Sequence, residues 1–409
     1  MLRFVPACFM MLAATVSHHA VAANLKSVSR IAFGPSNILF VADWKAGCIH
    51  AFELPSAEPP DSKLFNLTRA EDAIRQALGA SEFNLEDLAV RPQSNEAYIA
   101  LTSLPSRDPV ILVATAAGKI RKLDLDDLPA TSAELPDQPD QSLVLWDHIP
   151  GRSFIVTDMQ WYEGKLYVAG LSNQAFSSTL RILPYPFTGP SDMLSVEMYH
   201  TSHNQWETRA PIRAMTFAQL AGKPYLIAAY LCTPLVIIPV EELQPNAHVK
   251  AKTVAELGDA GIPVNLLTYQ AQDLTTQKMV NYVLSVNLYL GSETIALNDI
   301  EHATQGPGLS TPVAYGTRGP LAINTAPLAP AFRVVNFNSD FFLALRRDPS
   351  SGHTQLVNYN KALGFRLSDM DVSEYLLPGY VYTGAQRQYT LPVQNKMKID
   401  EGYPDQVRK

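Results

Sequence analysis

Six times along the chain a short run of β-branched, aromatic and small residues leads through a loop into a second such run. The runs are Phe40-Val41-Ala42-Asp43, Tyr98-Ile99-Ala100-Leu101, Tyr167-Val168-Ala169-Gly170, Leu226-Ile227-Ala228-Ala229, Val283-Leu284-Ser285-Val286 and Phe342-Leu343-Ala344-Leu345. Their first residues are 58, 69, 59, 57 and 59 positions apart. Each run predicts a strand. A strand-built period near this length predicts a β-propeller.

Taken as the second strand of each blade, the repeat places an alternating inner strand before it. Ile31/Phe33, Leu88/Val90, Met159/Trp161 and Met215/Phe217 have that alternation. Gly164-Lys165 and Gly222-Lys223 stand just before the next strand, a hairpin signal. Third strands are expected over Cys48–Phe52, Val110–Thr115, Thr179–Pro184, Leu235–Val240 and Gln355–Tyr359. Ser368-Asp369-Met370-Asp371-Val372 echoes Thr157-Asp158-Met159-Gln160-Trp161, with Tyr380–Thr383 and Gln388–Val393 as strands to follow. The expected fold is therefore all-β: a single seven-bladed propeller over 24–409, with six blades as the alternative. The first strand, near Lys26–Phe33 or just before it, is expected to close the ring against C-terminal strands. One helix is expected over 69–78, opened by a Thr68…Glu71 capping box and stopped by Gly79. Residues 302–332, rich in Pro, Gly and Thr, are expected to form an irregular excursion on blade 6.

Residues 1–23 read as a secretory signal peptide. Arg3 precedes an apolar core from Phe4 to Val16, and small residues at 20–23 suit cleavage. The protein is then periplasmic or secreted. No later stretch approaches ~18 continuous apolar residues, so a soluble mature chain without a membrane span is expected. The net charge is −7 with no basic run, which argues against nucleic acid and anionic membranes as partners. Cys48 and Cys232 fall in blades 1 and 4, roughly across the ring, and are expected to be unbridged. The chain has no Cys-x-x-Cys-His, hence no covalent haem. It also has no Gly-x-Ser-x-Gly, His-Glu-x-x-His or phosphate-cradling glycine loop.

Loops that join an outermost strand to the next inner strand share one face with the second-to-third strand loops, because strands alternate in direction. His148, His200, His203, His302 and His353 map to this loop face. The densest stretch is Tyr199 to Arg209, where His200 and His203 precede Glu207. Two imidazoles and a carboxylate suit a transition metal, with His148 or His302 as a further donor. The ordinary role, hydrogen bonding to loop carbonyls, is the competing reading. Arg30, Asp87, Asp158 and Asp369 precede inner strands, and Arg209 and Arg213 lie in the loop before blade 4. Together they form a candidate ligand site at the channel mouth. For the aspartates the structural alternative is tying down backbone amides.

Three stretches carry a resemblance: Glu86–Pro92 with Asn95–Tyr98, Leu166–Asn173 with Ser178–Arg181, and Val196 through His203 to Arg213. Cys232-Thr233-Pro234-Leu235-Val236 adds a fourth. Over about residues 65–260 the chain resembles a family of exported bacterial β-propellers for which no catalytic residue is established. More distantly it is similar to YVTN/NHL-type propellers, a resemblance that implies a binding role. Three functions remain open. The first is a binding module that engages a small molecule or protein through its loop face. The second is a copper- or iron-dependent enzyme using the loop-face histidines, and the third a structural scaffold. Neither a cofactor nor the oligomeric state can be read from the residues.

Overall fold

The fold is that of a computed structural model, which describes residues 24–60, 63–273, 275–326, 328, 330–370 and 379–408. It is mostly β-strand in a propeller arrangement: four separate four-stranded sheets and one ten-stranded sheet. The large sheet contains two more four-stranded units, joined where Ser195–Met198 runs parallel to His248–Ala251. Numbered by their inner strands, Ile31–Phe33, Glu82–Val90, Asp158–Tyr162, Ile212–Leu220, Pro263–Gln272 and Ala331–Asn336, these are blades 1 to 6. All six repeats fall in second strands, as their pattern predicts. Both faces of those strands are buried. Leu39 and Val41 point into the cluster between blades 1 and 2, whereas Phe40 and Ala42 point into the cluster between blades 1 and 3. This is why the repeat is apolar at successive positions rather than alternating.

Six apolar clusters define the ring, each filling the gap between two neighbouring blades. The order they trace is 2-1-3-4-5-6, so the first two blades are inverted relative to the chain. The outermost strands explain the inversion. After the third strand of blade 1, Asn66–Leu67 pairs with Val357 and Leu356 and completes blade 6. Helix α1 (Ala70–Leu78) then leads into blade 2. After blade 2, Ala130–Glu134 returns to complete blade 1 against Cys48–Phe52. Early chain is thereby fastened to the last blade. The first strand, expected to meet the C-terminus, pairs with Ile38–Asp43 instead.

Other expectations are corrected. No seventh four-stranded unit is found among the described residues: Tyr380–Thr383 is not strand, and Gln386–Thr390 and Leu391–Asp400 are helical. Asp371 and Val372 lie outside the described residues, as does the signal peptide reading of 1–23. Residues 302–332 belong largely to blade 5, not blade 6. Ile323–Ala326 is the fourth strand of blade 5, and Arg318–Gly319 pairs with blade 4. Helix α1 forms where expected, with Gly79 in the left-handed region (φ 68°), but its cap is Arg69, with no side-chain cap bond. Glu71 turns to His353 instead, Oε1 lying 2.6 Å from Nδ1. Cys48 is free. Blades 1 and 4 are separated only by blade 3, so the two cysteines are not across the ring.

Candidate functional site

One residue in or just before each inner strand contributes to a ring of polar groups at the channel mouth. In ring order these residues are Asp87, Arg30, Asp158, Arg213, Asn265 and Arg333, an acid or amide alternating with an arginine. The alternation has a backbone cause. Each acid or amide accepts an amide hydrogen from the next blade. Ile31 donates to Asp87 Oδ2 (2.8 Å), Met215 to Asp158 Oδ2 (2.7 Å) and Val334 to Asn265 Oδ1 (3.1 Å). The six blades thus form three pairs, each with an arginine beside the clasped amide.

The arginines are not equivalent. Arg333 donates Nε to Asp87 Oδ1 (2.7 Å) and Nη2 to the Glu86 carbonyl (2.8 Å). Arg30 donates Nε to the Thr157 carbonyl (2.7 Å) and Nη1 to the Ser29 carbonyl (2.7 Å). Arg213 Nε is buried with no hydrogen-bond partner among the described residues. Burial, then repulsion from Arg333, lowers the pKa of both Arg213 and Arg30, the latter to about 10. Burial raises Asp158 to about 7 against the opposing pull of Arg30. Asn265 replaces the third carboxylate of the pattern. The mouth therefore holds three guanidinium charges against Asp87 and a partly protonated Asp158, and Arg213 is the cation least matched by its surroundings.

A groove of about 1050 Å³ lies on the same face between blades 2 and 6 and α1, lined by Arg69, Glu71, Arg75, Glu86, Arg347 and His353 among others. Glu86 links it to the mouth. Its carbonyl accepts from Arg333, and its carboxylate takes the Thr102 hydroxyl (2.8 Å).

The second polar constellation is a hairpin. Asp192–His200 and Gln205–Glu207 pair in antiparallel register, with His200 opposite Gln205 and Met198 opposite Glu207. Asn204, at φ 53°, makes the turn in a conformation asparagine tolerates. The hairpin brings His200, His203 and Glu207 together, with one donor atom from each lying within 4.8 Å of the others. The two imidazole centroids are 3.8 Å apart. Glu207 Oε1 lies 2.9 Å from His203 Nδ1 and 3.8 Å from His200 Nδ1. Burial, then the neighbouring His203, lowers the pKa of His200. Glu207 is held below the usual carboxylate range because hydrogen bonds from Gln205 and His203 outweigh the opposing effect of burial.

Of the predicted ligand site, Arg30, Asp87, Asp158 and Arg213 share the mouth. Arg209 is exposed, with Nε directed at the Ala175 carbonyl. Asp369 lies beyond blade 6, accepting from Arg346 Nη1 and the Tyr359 hydroxyl, both at 3.0 Å. Of the predicted metal set, His200 and His203 come together. His148 Nδ1 contacts the Trp146 carbonyl, and His302 is exposed on helix α2 (Leu297–Ala303), so neither joins the cluster. The residues missed were Arg333 and Asn265. Both stand before inner-strand patterns, Val334-Val335 and Leu266-Leu267, as Arg30 stands before Ile31. Aligning all six inner strands would have exposed the alternation.

No protein-family model and no curated protein matches the chain. Among solved structures it is similar to the PQQ-bound form of aldose sugar dehydrogenase from Streptomyces coelicolor, at 12% identity and a TM-score of 0.33 over 83% of this chain and 96% of that one. It is similar to PorZ, a surface component of the type-IX secretion system of Porphyromonas gingivalis, at 10% identity and a TM-score of 0.31, over 83% of this chain and 37% of that one. A third is a putative 6-phosphogluconolactonase from Bacteroides uniformis, at 13% identity and a TM-score of 0.28 over 81% of each chain. Likeness this distant carries no argument about activity, and kinship with YVTN/NHL-type propellers is not among these findings.

Proposed function

We propose that the protein is an exported binding module that takes a small oxyanion-bearing ligand at the channel mouth of its loop face. One observation carries the reading: Arg213, with a buried and unpartnered Nε, stands between Asp158 and Asn265, where the alternating pattern lacks its third carboxylate. A carboxylate or phosphate oxygen would satisfy that donor and the local excess of positive charge. The adjoining groove offers room for the rest of the ligand, and its mixed charges suit a polar one. The leader-like residues 1–23 support a periplasmic or secreted setting for this function. N-terminal sequencing of protein from its native compartment checks that placement.

The test is calorimetric titration of the tag-free full chain with glucuronate, citrate and inorganic phosphate. Saturable binding of a carboxylate or of phosphate, weakened at least ~10-fold by Arg213→Gln, is the expected result. No saturable binding of any of the three, or equal affinity in Arg213→Gln, refutes the reading. A metal-dependent activity, the rival interpretation, draws on the histidine hairpin alone.

A further inference from the structure

We infer that the hairpin of blade 3 is a site for one borderline divalent metal ion of the zinc type, held by one ring nitrogen each of His200 and His203 and a Glu207 carboxylate oxygen. The inference is independent of the anion site, which uses other residues. The donors already converge, with one ring nitrogen from each histidine and one carboxylate oxygen all within 4.8 Å of one another. A mixed nitrogen and oxygen set of this kind suits zinc-like ions rather than magnesium or calcium.

Two further features of the pocket fit a bound cation. His200 is 3% exposed, and its Nε2 lies 3.0 Å from the Ser202 hydroxyl. A hydroxyl beside the second ring nitrogen is the kind of supporting partner that orients a metal-ligating imidazole. The second feature is Glu256, a carboxylate only 1% exposed. Its Oε1 accepts from the Thr201 amide and hydroxyl, at 3.3 and 2.5 Å, between the two histidines. Its Oε2 is buried with no hydrogen-bond partner among the described residues. A buried carboxylate without a matching cation is costly. Glu207 and Glu256 thus set two carboxyl groups around the two imidazoles, an arrangement that suits a cation between them. Three protein donors leave a further coordination position, and the exposure of His203 turns it toward solvent.

The experiment uses tag-free full-length protein freed of metal by chelator and titrated with Co²⁺ at neutral pH, followed by Zn²⁺ competition. One equivalent of Co²⁺ with the visible absorption of a low-coordinate site, displaced by Zn²⁺, is expected. His203→Ala, at an exposed turn, should abolish the signal with an unchanged circular dichroism spectrum. Glu256→Gln should weaken binding ~10–100-fold, the usual effect of removing a supporting partner. Binding should also fall as protons compete for the imidazoles below about pH 6. Absence of stoichiometric binding in the wild type overturns the proposal, and so does undiminished affinity in His203→Ala. Arg213→Gln should leave Co²⁺ binding intact, which separates this result from the fate of the anion site.

Discussion

Asp87 and Arg333, separated by 246 positions in the chain, meet at 2.7 Å. The other oxygen of Asp87 accepts the Ile31 amide, so one carboxylate clamps blade 2 to both of its neighbours. Asp158 and Asn265 repeat only the amide half of this clamp. The channel mouth is therefore a structural girdle first, and the proposed anion site rests on Arg213, whose Nε has no partner among the described residues.

Asp158 should give the protein a pH signature. Its folded pKa of about 7 exceeds the ordinary value of 3.8, so the folded state retains a proton that the unfolded chain has released. Stability should fall as pH rises from about 4 to about 7 and level off above, with a slope of at most about 1.4 kcal/mol per pH unit. Asp158→Asn, which copies the residue at position 265, should flatten that slope in urea unfolding. An unchanged slope would show that the carboxylate titrates normally.

Gly170 closes the second strand of blade 3 against the preceding loop. A Cβ there would lie 2.0 Å from the Ile155 carbonyl oxygen and 2.4 Å from its carbon, both backbone atoms that cannot swing aside. Gly170→Ala should destabilise the fold by about 3 kcal/mol, read as a lower urea midpoint. Gly164→Ala, in a turn with open space around it but at φ 81°, should be milder.

The inverted blade order can be tested at Asn358. Its Oδ1 accepts the Phe65 amide (2.6 Å), and its Nδ2 donates to the Phe342 carbonyl (2.8 Å). It thereby anchors the borrowed strand Asn66–Leu67 on blade 6. Asn358→Ala should cost about 2 kcal/mol and speed amide exchange across residues 64–68. Exchange confined to blade 6 itself would contradict the strand assignment.

Cys48 should be a sluggish thiol. Burial, then Asp43 and Glu134, raises its pKa to about 11. Alkylation at pH 8 should run about 100-fold slower in the native protein than in urea. Equal rates would mean that Cys48 is neither buried nor beside those carboxylates.

Much of the local structure was legible in the residues themselves. The second strands could be read from their apolar runs, the inner strands from alternation, two hairpins from Gly-Lys turns, and the end of α1 from Gly79. Each is a local property, set by period and turn chemistry within a few positions. The pairing of His200 with His203 was also visible, although nothing in the spacing fixed their geometry. That required the hairpin, which folds Glu207 back beside both rings.

Blade order and closure were decided only in three dimensions. Asn66–Leu67 is two residues long and carries no periodicity, yet its pairing adds early chain to blade 6 as the fourth strand. The swap is settled by which apolar faces are left to cover once all blades are present, a sum over distant residues. Glu71 shows the same contest on a small scale. Its place three positions after Thr68 favours a capping box, but the folded ring offers it His353, 282 positions away, and that partner prevails. The channel mouth joins both levels. Arginine, aspartate and asparagine at the strand starts are written in the chain, whereas their alternation around one axis exists only because blades 1 and 2 trade places.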